Sequence, residues 1–294
     1  MLPQLATPAE ASGATVAEVR HPRWLSFTVL LFAGLLLFEL AFFALQGGGK
    51  LFQIATFVGL PITFSIAAAI LRKSRRFVDY WPAFLSYAVA SIALLPIWLL
   101  DEFPARWLGL NLKSPPGMAV GKVCDALLLI LTVFVLTRVF GVSQSSVFLQ
   151  KGKLGLGLAI GFAGFSVMAA FGVFEAHDMG VSTTRLIAWI PWLLTFVLAN
   201  GFFEELMFRG LFLKKFEALL GSRLANLVTA LVFTIGHAGV TYTSDVLTFM
   251  AITLVFALIW GYVTQKTGAL WGSSLFHAGA DVVIMIGIFA GVKI

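Results

Sequence analysis

Apolar residues in this chain come in long blocks, not at the alternating period of strands. Runs at about 25–45, 51–71, 83–100, 120–140, 154–175, 186–212, 224–239, 246–264 and 269–290 are separated by short polar or basic stretches. An α-helix rises about 1.5 Å per residue, so a bilayer core of about 30 Å takes about 20 apolar residues. Each run therefore predicts a membrane-crossing helix. The count falls to eight if one of the weaker runs is re-entrant or interfacial. The expected fold is all-α, a polytopic transmembrane helical bundle of about eight or nine spans. The first run is too long for the apolar core of a cleaved signal peptide and reads as a retained helix.

Composition agrees with the pattern. The 294 residues are 60% hydrophobic and 12% charged, with a mean hydropathy of +0.97. A soluble domain carries about 25% charged residues. The net charge of +6 would suit a nucleic-acid partner, but its placement argues for topology. Arg20, His21 and Arg23 precede the first run, Arg72, Lys73, Arg75 and Arg76 follow the second, and Lys214, Lys215 and Arg223 lie between two later ones. Short basic loops mark the cytoplasmic side. The expectation is a multi-pass protein of a prokaryotic cytoplasmic membrane, with its N-terminus in the cytoplasm, the lipid bilayer as partner and no nucleic acid. With nine crossings, Lys293-Ile294 falls outside. The one cysteine, Cys124, excludes an intrachain disulfide and reads as a small buried thiol.

The polar, basic loop from Ser143 to Lys153 divides the chain. Three parts follow: a cytoplasmic polar tail over 1–23, N-terminal transmembrane helices over 24–150, and a membrane core over 151–294. Gly155, Gly157, Gly161 and Gly164 give one helix a small-residue stripe suited to close helix packing.

The core carries ionisable residues inside its apolar runs: Glu204, Glu205, Arg209, His237, His277 and Asp281. Each costs about 2.5–3.5 kcal/mol at the membrane centre and persists where it pairs, meets water or does chemistry. Measured from the neighbouring basic loops, Glu204 and His277 lie roughly 15 Å deep and His237 roughly 20 Å. Three helices thus bring polar groups to similar depth from one side. Glu205 and Arg209 are four apart, acid first, the favourable order for a helix-internal pair. Glu204 is turned about 100° from Glu205, has no local counter-charge, and shares its face with Asn200. His277 and Asp281, also four apart, share a helix face and can point into one cavity.

A carboxylate and a histidine sharing a water can act as general base and orienting partner, typically a 10²–10⁴-fold effect. A donor pair would hold the oxyanion formed when water attacks a peptide carbonyl, about 10²–10³ per donor. Two histidines and a glutamate are also an adequate zinc set, and intramembrane acids also serve proton relays in transporters.

Glu204-Glu205-Leu-Met-Phe-Arg209 resembles the EExxxR motif of the CAAX-protease (CPBP, or Abi) family. Phe233-Thr-Ile-Gly-His237 is similar to its FxxxH motif, and His277-Ala-Gly-Ala-Asp281 to its HxxxN/D motif. Flanks at Gly210-Leu211, Gly261-Tyr262 and Thr267 through Trp271 fit as well. The resemblance covers about residues 150–290. It implies a glutamate-type intramembrane endopeptidase without metal or other cofactor, acting on a membrane-associated protein or peptide. Some members remove the last three residues of prenylated proteins. By the same resemblance Glu204 holds and deprotonates the attacking water with His237 as partner, His277 and Asp281 form the oxyanion hole, and Glu205 and Arg209 brace the site. Asp281 stands where the prenyl-processing members have asparagine, so CAAX specificity does not follow; Asp281 acts either protonated, as a donor, or as a holder of His277. The rival readings are a catalytically silent scaffold or immunity-type protein and a zinc-dependent membrane protease. The expected cavity opens sideways to lipid and to the cytoplasmic leaflet. Glu39 reads as a packing residue, and Asp101, Glu102 and Arg106 as solvated. Glu175, His177 and Asp178 read as a wet loop at a helix end.

Overall fold

The computed structural model describes residues 21–100 and 102–291. The tail up to residue 20, Asp101 and Val292 to Ile294 lie outside the described residues. All regular structure among the described residues is helical: α1 (Arg23–Gly47), α2 (Lys50–Lys73), α3 (Trp81–Leu100), α4 (Phe103–Trp107), α5 (Pro115–Val139), α6 (Leu154–Asp178), α7 (Thr183–Glu205), α8 (Lys214–Leu220), α9 (Ser222–Ile235), α10 (Val246–Thr267) and α11 (Trp271–Ala290). A π-helical segment, Leu206–Leu213, joins α7 to α8. Eight of the helical stretches are long and apolar enough to cross a membrane.

The run expected at 224–239 is the one that falls short. Its helix, α9, has 14 residues, about 21 Å of rise against a core of about 30 Å. The run stays apolar, but Gly236 and Gly239 break the helix into a turn, and His237 sits in that turn instead of in a span. The side chain of Gln265, near the end of α10, donates to Glu217 (2.7 Å) and to the Ser222 carbonyl (2.9 Å). The end of α10 thus meets the start of α9, and the two helices run antiparallel.

The basic loops meet at one end of the bundle. His21 Nε2 bonds the Arg76 carbonyl at 2.9 Å. Lys214 Nζ donates to Ser145 O at 3.1 Å. Gln150 Nε2 donates to Gly268 O, and the Lys153 amide to Thr267 O, both at 2.7 Å. The other end holds α4, the turn at 179–182 and the turn at 236–245. There Gln46, near the end of α1, donates to Gly239 O at 3.3 Å.

The central helix is α11: 67% of its apolar window is buried, against 17% for α6. Small residues allow this. A Cβ on Gly161 would lie 2.8 Å from Gly272 O, and one on Gly164 would lie 2.4 Å from the Phe276 ring. A Cβ on Gly201 of α7 would lie 2.7 Å from Ser274 O and 2.8 Å from Ala278 N. Of the expected stripe, Gly157, Gly161 and Gly164 face α11, while Gly155 faces open space. The largest core cluster mixes residues from α1, α2, α3 and α5, such as Leu37, Phe64, Tyr87 and Leu129, with Leu206, Phe212 and Phe216 of the later segment.

Candidate active site

Glu205 is the last residue of α7 and Arg209 lies inside the π-helical segment. Widening a helix by one residue per turn re-aims the side chains around it, and such segments recur at functional sites. Arg209 Nη1 donates to Glu205 Oε1 at 2.7 Å, and both side chains are fully buried. Its Nη2 donates to the Ala257 carbonyl of α10 at 2.8 Å. The guanidinium also lies 4.9 Å from the Phe233 ring centroid and 5.6 Å from that of Trp260, a cation–π arrangement.

His277, 2% exposed, ties three carboxylates together. Its Nδ1 is 3.1 Å from Glu205 Oε1. Its Nε2 is 3.3 Å from Glu204 Oε2 and 3.7 Å from Asp281 Oδ1. Trp260 stacks flat on the imidazole, with centroids 3.8 Å apart and planes 7° apart, and Phe233 meets its edge at 5.6 Å. The ring therefore has little rotational freedom. Asp281 Oδ2 accepts from Asn200 Nδ2 at 2.9 Å. The neighbouring glutamates have different environments: Glu205 is enclosed, and the Glu204 side chain keeps 18% of its surface open.

That open surface faces a cavity of about 810 Å³, whose lining includes Glu204, His237, His277, Asp281 and Asn200. The structure thus places the four expected catalytic positions around one space. Their pairing differs from the expectation. The histidine against Glu204 is His277. The Nδ1 of His237 bonds Phe233 O at 2.8 Å, and no hydrogen bond joins His237 to Glu204 among the described residues. A carbonyl only accepts, so Nδ1 carries the proton and Nε2 is left as the free ring nitrogen.

The position of the cavity also differs from the expectation. Most of its lining comes from the helix halves remote from the basic loops, such as Phe42 and Leu45 of α1, Trp98 of α3, Lys122 and Asp125 of α5, Phe171 of α6, and Tyr242 to Asp245 in the turn before α10, while Glu204, Met207, Trp260 and His277 lie in the halves nearer those loops. Depth along a helix is readable from spacing; which half is hollow depends on how side chains from different helices fill the space between them.

Four lining residues escaped the sequence reading as site members. Asn200 shares a face with Glu204, a visible signal. Lys122 shares an otherwise apolar stretch of α5 with Asp125, whose Oδ2 is 3.5 Å from its Nζ, and lies 4.9 Å from the Phe203 centroid. Trp260 gave no signal, being one of eight tryptophans. Tyr242 lies in the turn after α9. Burial first, then the negative charges of Glu204 and Asp281, push its phenol well above the ordinary 10.0. Elsewhere, His177 and Asp178 are exposed side by side, 3.5 Å apart. No group of three His, Cys, Asp or Glu side chains suited to a metal ion occurs among the described residues.

Fold and site together define a multi-span helical membrane protein with an acid–imidazole cluster on the wall of an intramembrane cavity. Residues 186–283 match the family model described as type II CAAX prenyl endopeptidase Rce1-like. The chain thus carries a domain of this family, which is a peptidase family, and the match spans all three motifs. No curated protein and no solved structure matches the chain.

Proposed function

We propose that the protein is a glutamate-dependent intramembrane endopeptidase that hydrolyses a peptide bond of a membrane-associated protein or peptide. The observation that carries the reading is the contrast between the adjacent glutamates. Glu205 is consumed by Arg209 and His277, while Glu204 faces the cavity with His277 Nε2 at 3.3 Å. A structural acid in lipid needs a partner and no open surface; Glu204 has a partner in His277 and an open surface as well.

In this reading Glu204 takes a proton from a water in the cavity, and the hydroxide attacks the carbonyl carbon of the scissile bond. His237 Nε2, its other nitrogen committed to Phe233, lines the same space and orients the water. The carbonyl electrons move onto oxygen, and the oxyanion is held by His277 Nε2–H and by the Asn200 amide. Asn200 uses one N–H on Asp281 and has a second. Asp281 thereby acts through Asn200 as a positioning residue. Collapse of the intermediate breaks the C–N bond, and the proton held by Glu204 passes to the leaving amine. Arg209 and Glu205 fix the ring of His277. The basic loops face the cytoplasm, following the positive-inside rule.

The test is cleavage by the purified protein in detergent or liposomes. A library of membrane-proximal peptides is offered, with and without a C-terminal prenyl-cysteine. Wild type is compared with Glu204→Ala and Glu204→Gln, with and without chelator. Cleavage that survives chelator and is lost in both variants is expected. Loss with chelator would shift the assignment to metal chemistry. No cleavage at all, with normal cellular function of the Glu204 variants, would favour a silent scaffold.

A further inference from the structure

Three observations concern which face of the membrane this site serves. First, the basic loops gather at one end and bond one another there. Second, that end is closed over the site. The hydroxyls of Thr264 and Ser273 bond at 2.7 Å where α10 and α11 meet, and Trp271 Nε1 donates to Gln150 O at 2.9 Å. Leu206, Leu211 and Leu213 are buried beneath. A second cavity near this end, about 350 Å³, is lined by Asp79, Trp81, Lys214 and Lys215 among others and reaches none of the catalytic positions. Third, the cavity that holds Glu204 leads the other way. Its rim includes the exposed Ser244, Asp245 and Thr248 in and just after the 236–245 turn. Phe171 of α6 (49% exposed) and Ile252 of α10 (51% exposed) stand at its lateral edge.

We infer that the site is loaded from the face opposite the basic loops, and that its substrates are non-cytoplasmic, membrane-proximal segments of exported or membrane-anchored polypeptides. The inference rests on the proteolytic reading above and adds its sidedness and substrate class. Cytoplasmic loops carry the excess of Lys and Arg, so the open end faces away from the cytoplasm. The mouth suits such a segment. It has a polar edge at Ser244 and Asp245 for the wet part of the chain and an apolar edge at Phe171 and Ile252 toward lipid. The cavity volume falls within the range of sites that enclose ligands, about 300–1,000 Å³, enough for a few residues of peptide. Prenylation acts on a different population, since a lipid added to a cytoplasmic C-terminus lies on the closed face.

The experiment uses the full chain with Cys124→Ser as background. Single cysteines are placed at the mouth (Ser244→Cys) and in a basic loop (Lys151→Cys) and reacted with a membrane-impermeant maleimide. In intact cells Ser244→Cys is expected to label, and Lys151→Cys only after permeabilisation. In the purified protein, a bulky thiol reagent on Ser244→Cys is expected to abolish Glu204-dependent cleavage of a quenched fluorescent peptide and to leave Lys151→Cys active. The reverse labelling pattern would overturn the sidedness, and unimpaired cleavage by modified Ser244→Cys would overturn the entrance. If wild type shows no cleavage above Glu204→Gln, the protease reading and the substrate class fall, and the labelling decides the sidedness alone.

Discussion

At the scale of single residues, the site separates bracing from chemistry. Arg209 is fully buried with Glu205 as its ion partner. Removing one member of a buried pair leaves an uncompensated charge, about 3–5 kcal/mol. Arg209→Met is therefore expected to lower stability by about that amount, and Glu205→Gln in the same chain to recover much of it. Denaturant titration in detergent micelles measures both. The oxyanion assignment makes a kinetic prediction. Asn200→Leu removes the amide donor and is expected to lower kcat by about 10²–10³ with KM little changed. Asp281→Asn keeps an acceptor for Asn200 and is expected to retain most activity, while Asp281→Leu loses it. If Asn200→Leu cleaves at the wild-type rate, the amide is not the donor. The Glu205–Arg209 pair was legible in the sequence because four-residue spacing on a helix nearly forces it. The contact of His277 with both glutamates was not, since it depends on how α11 is rotated against α7. No spacing within either helix encodes that rotation.

At the scale of elements, closeness of helices sets the geometry of the site. Gly201 lies three residues before Glu204, where α7 touches α11. Gly201→Val would force these helices apart and carry His277 away from Glu204. Activity is expected to fall sharply even where the protein still folds, and near-normal cleavage would show that the close approach is not needed. The turn after α9 gives a pH prediction. Burial and the acids of the site hold the Tyr242 phenol above 10.0. The native state therefore keeps this proton when the unfolded chain has lost it. The stability that Tyr242 contributes is intact below pH 10.0 and is lost as pH rises from there through the native value. The absorbance titration of wild type minus Tyr242→Phe isolates this group, and Glu204→Gln is expected to bring its midpoint down. An unmoved midpoint would place Tyr242 out of electrostatic reach of Glu204. The turn itself was hard to read from composition, because Ile235 to Val240 stays apolar and only two glycines mark the break. The long helices were legible for the opposite reason: nothing but a membrane span accommodates 20 or more such residues in a row.

At the scale of the whole molecule, the family match covers 186–283, yet much of the cavity wall comes from before it. Phe38, Phe42, Phe57, Trp98 and Lys122 line the space opposite Glu204, and the largest core cluster draws on helices from both sides of the loop at 143–153. The sequence showed the motifs and hid this dependence, because wall residues need only be apolar and of the right volume. A chain of residues 151–294 would hold every motif side chain while exposing Leu206, Phe212 and Phe216 to lipid and opening the cavity along α7. Catalytic electrostatics act in a water-poor, preorganised space, so such a fragment is expected to insert into membranes and to cleave nothing. Residues 1–150 made as a separate chain in the same cell should restore cleavage. The contacts that join the halves are helix–helix packing and loop bonds such as Lys214 to Ser145, and none requires a continuous chain. Activity of the fragment alone would mean that the first five helices serve something other than the site, and that the walls they supply to the cavity are dispensable for hydrolysis.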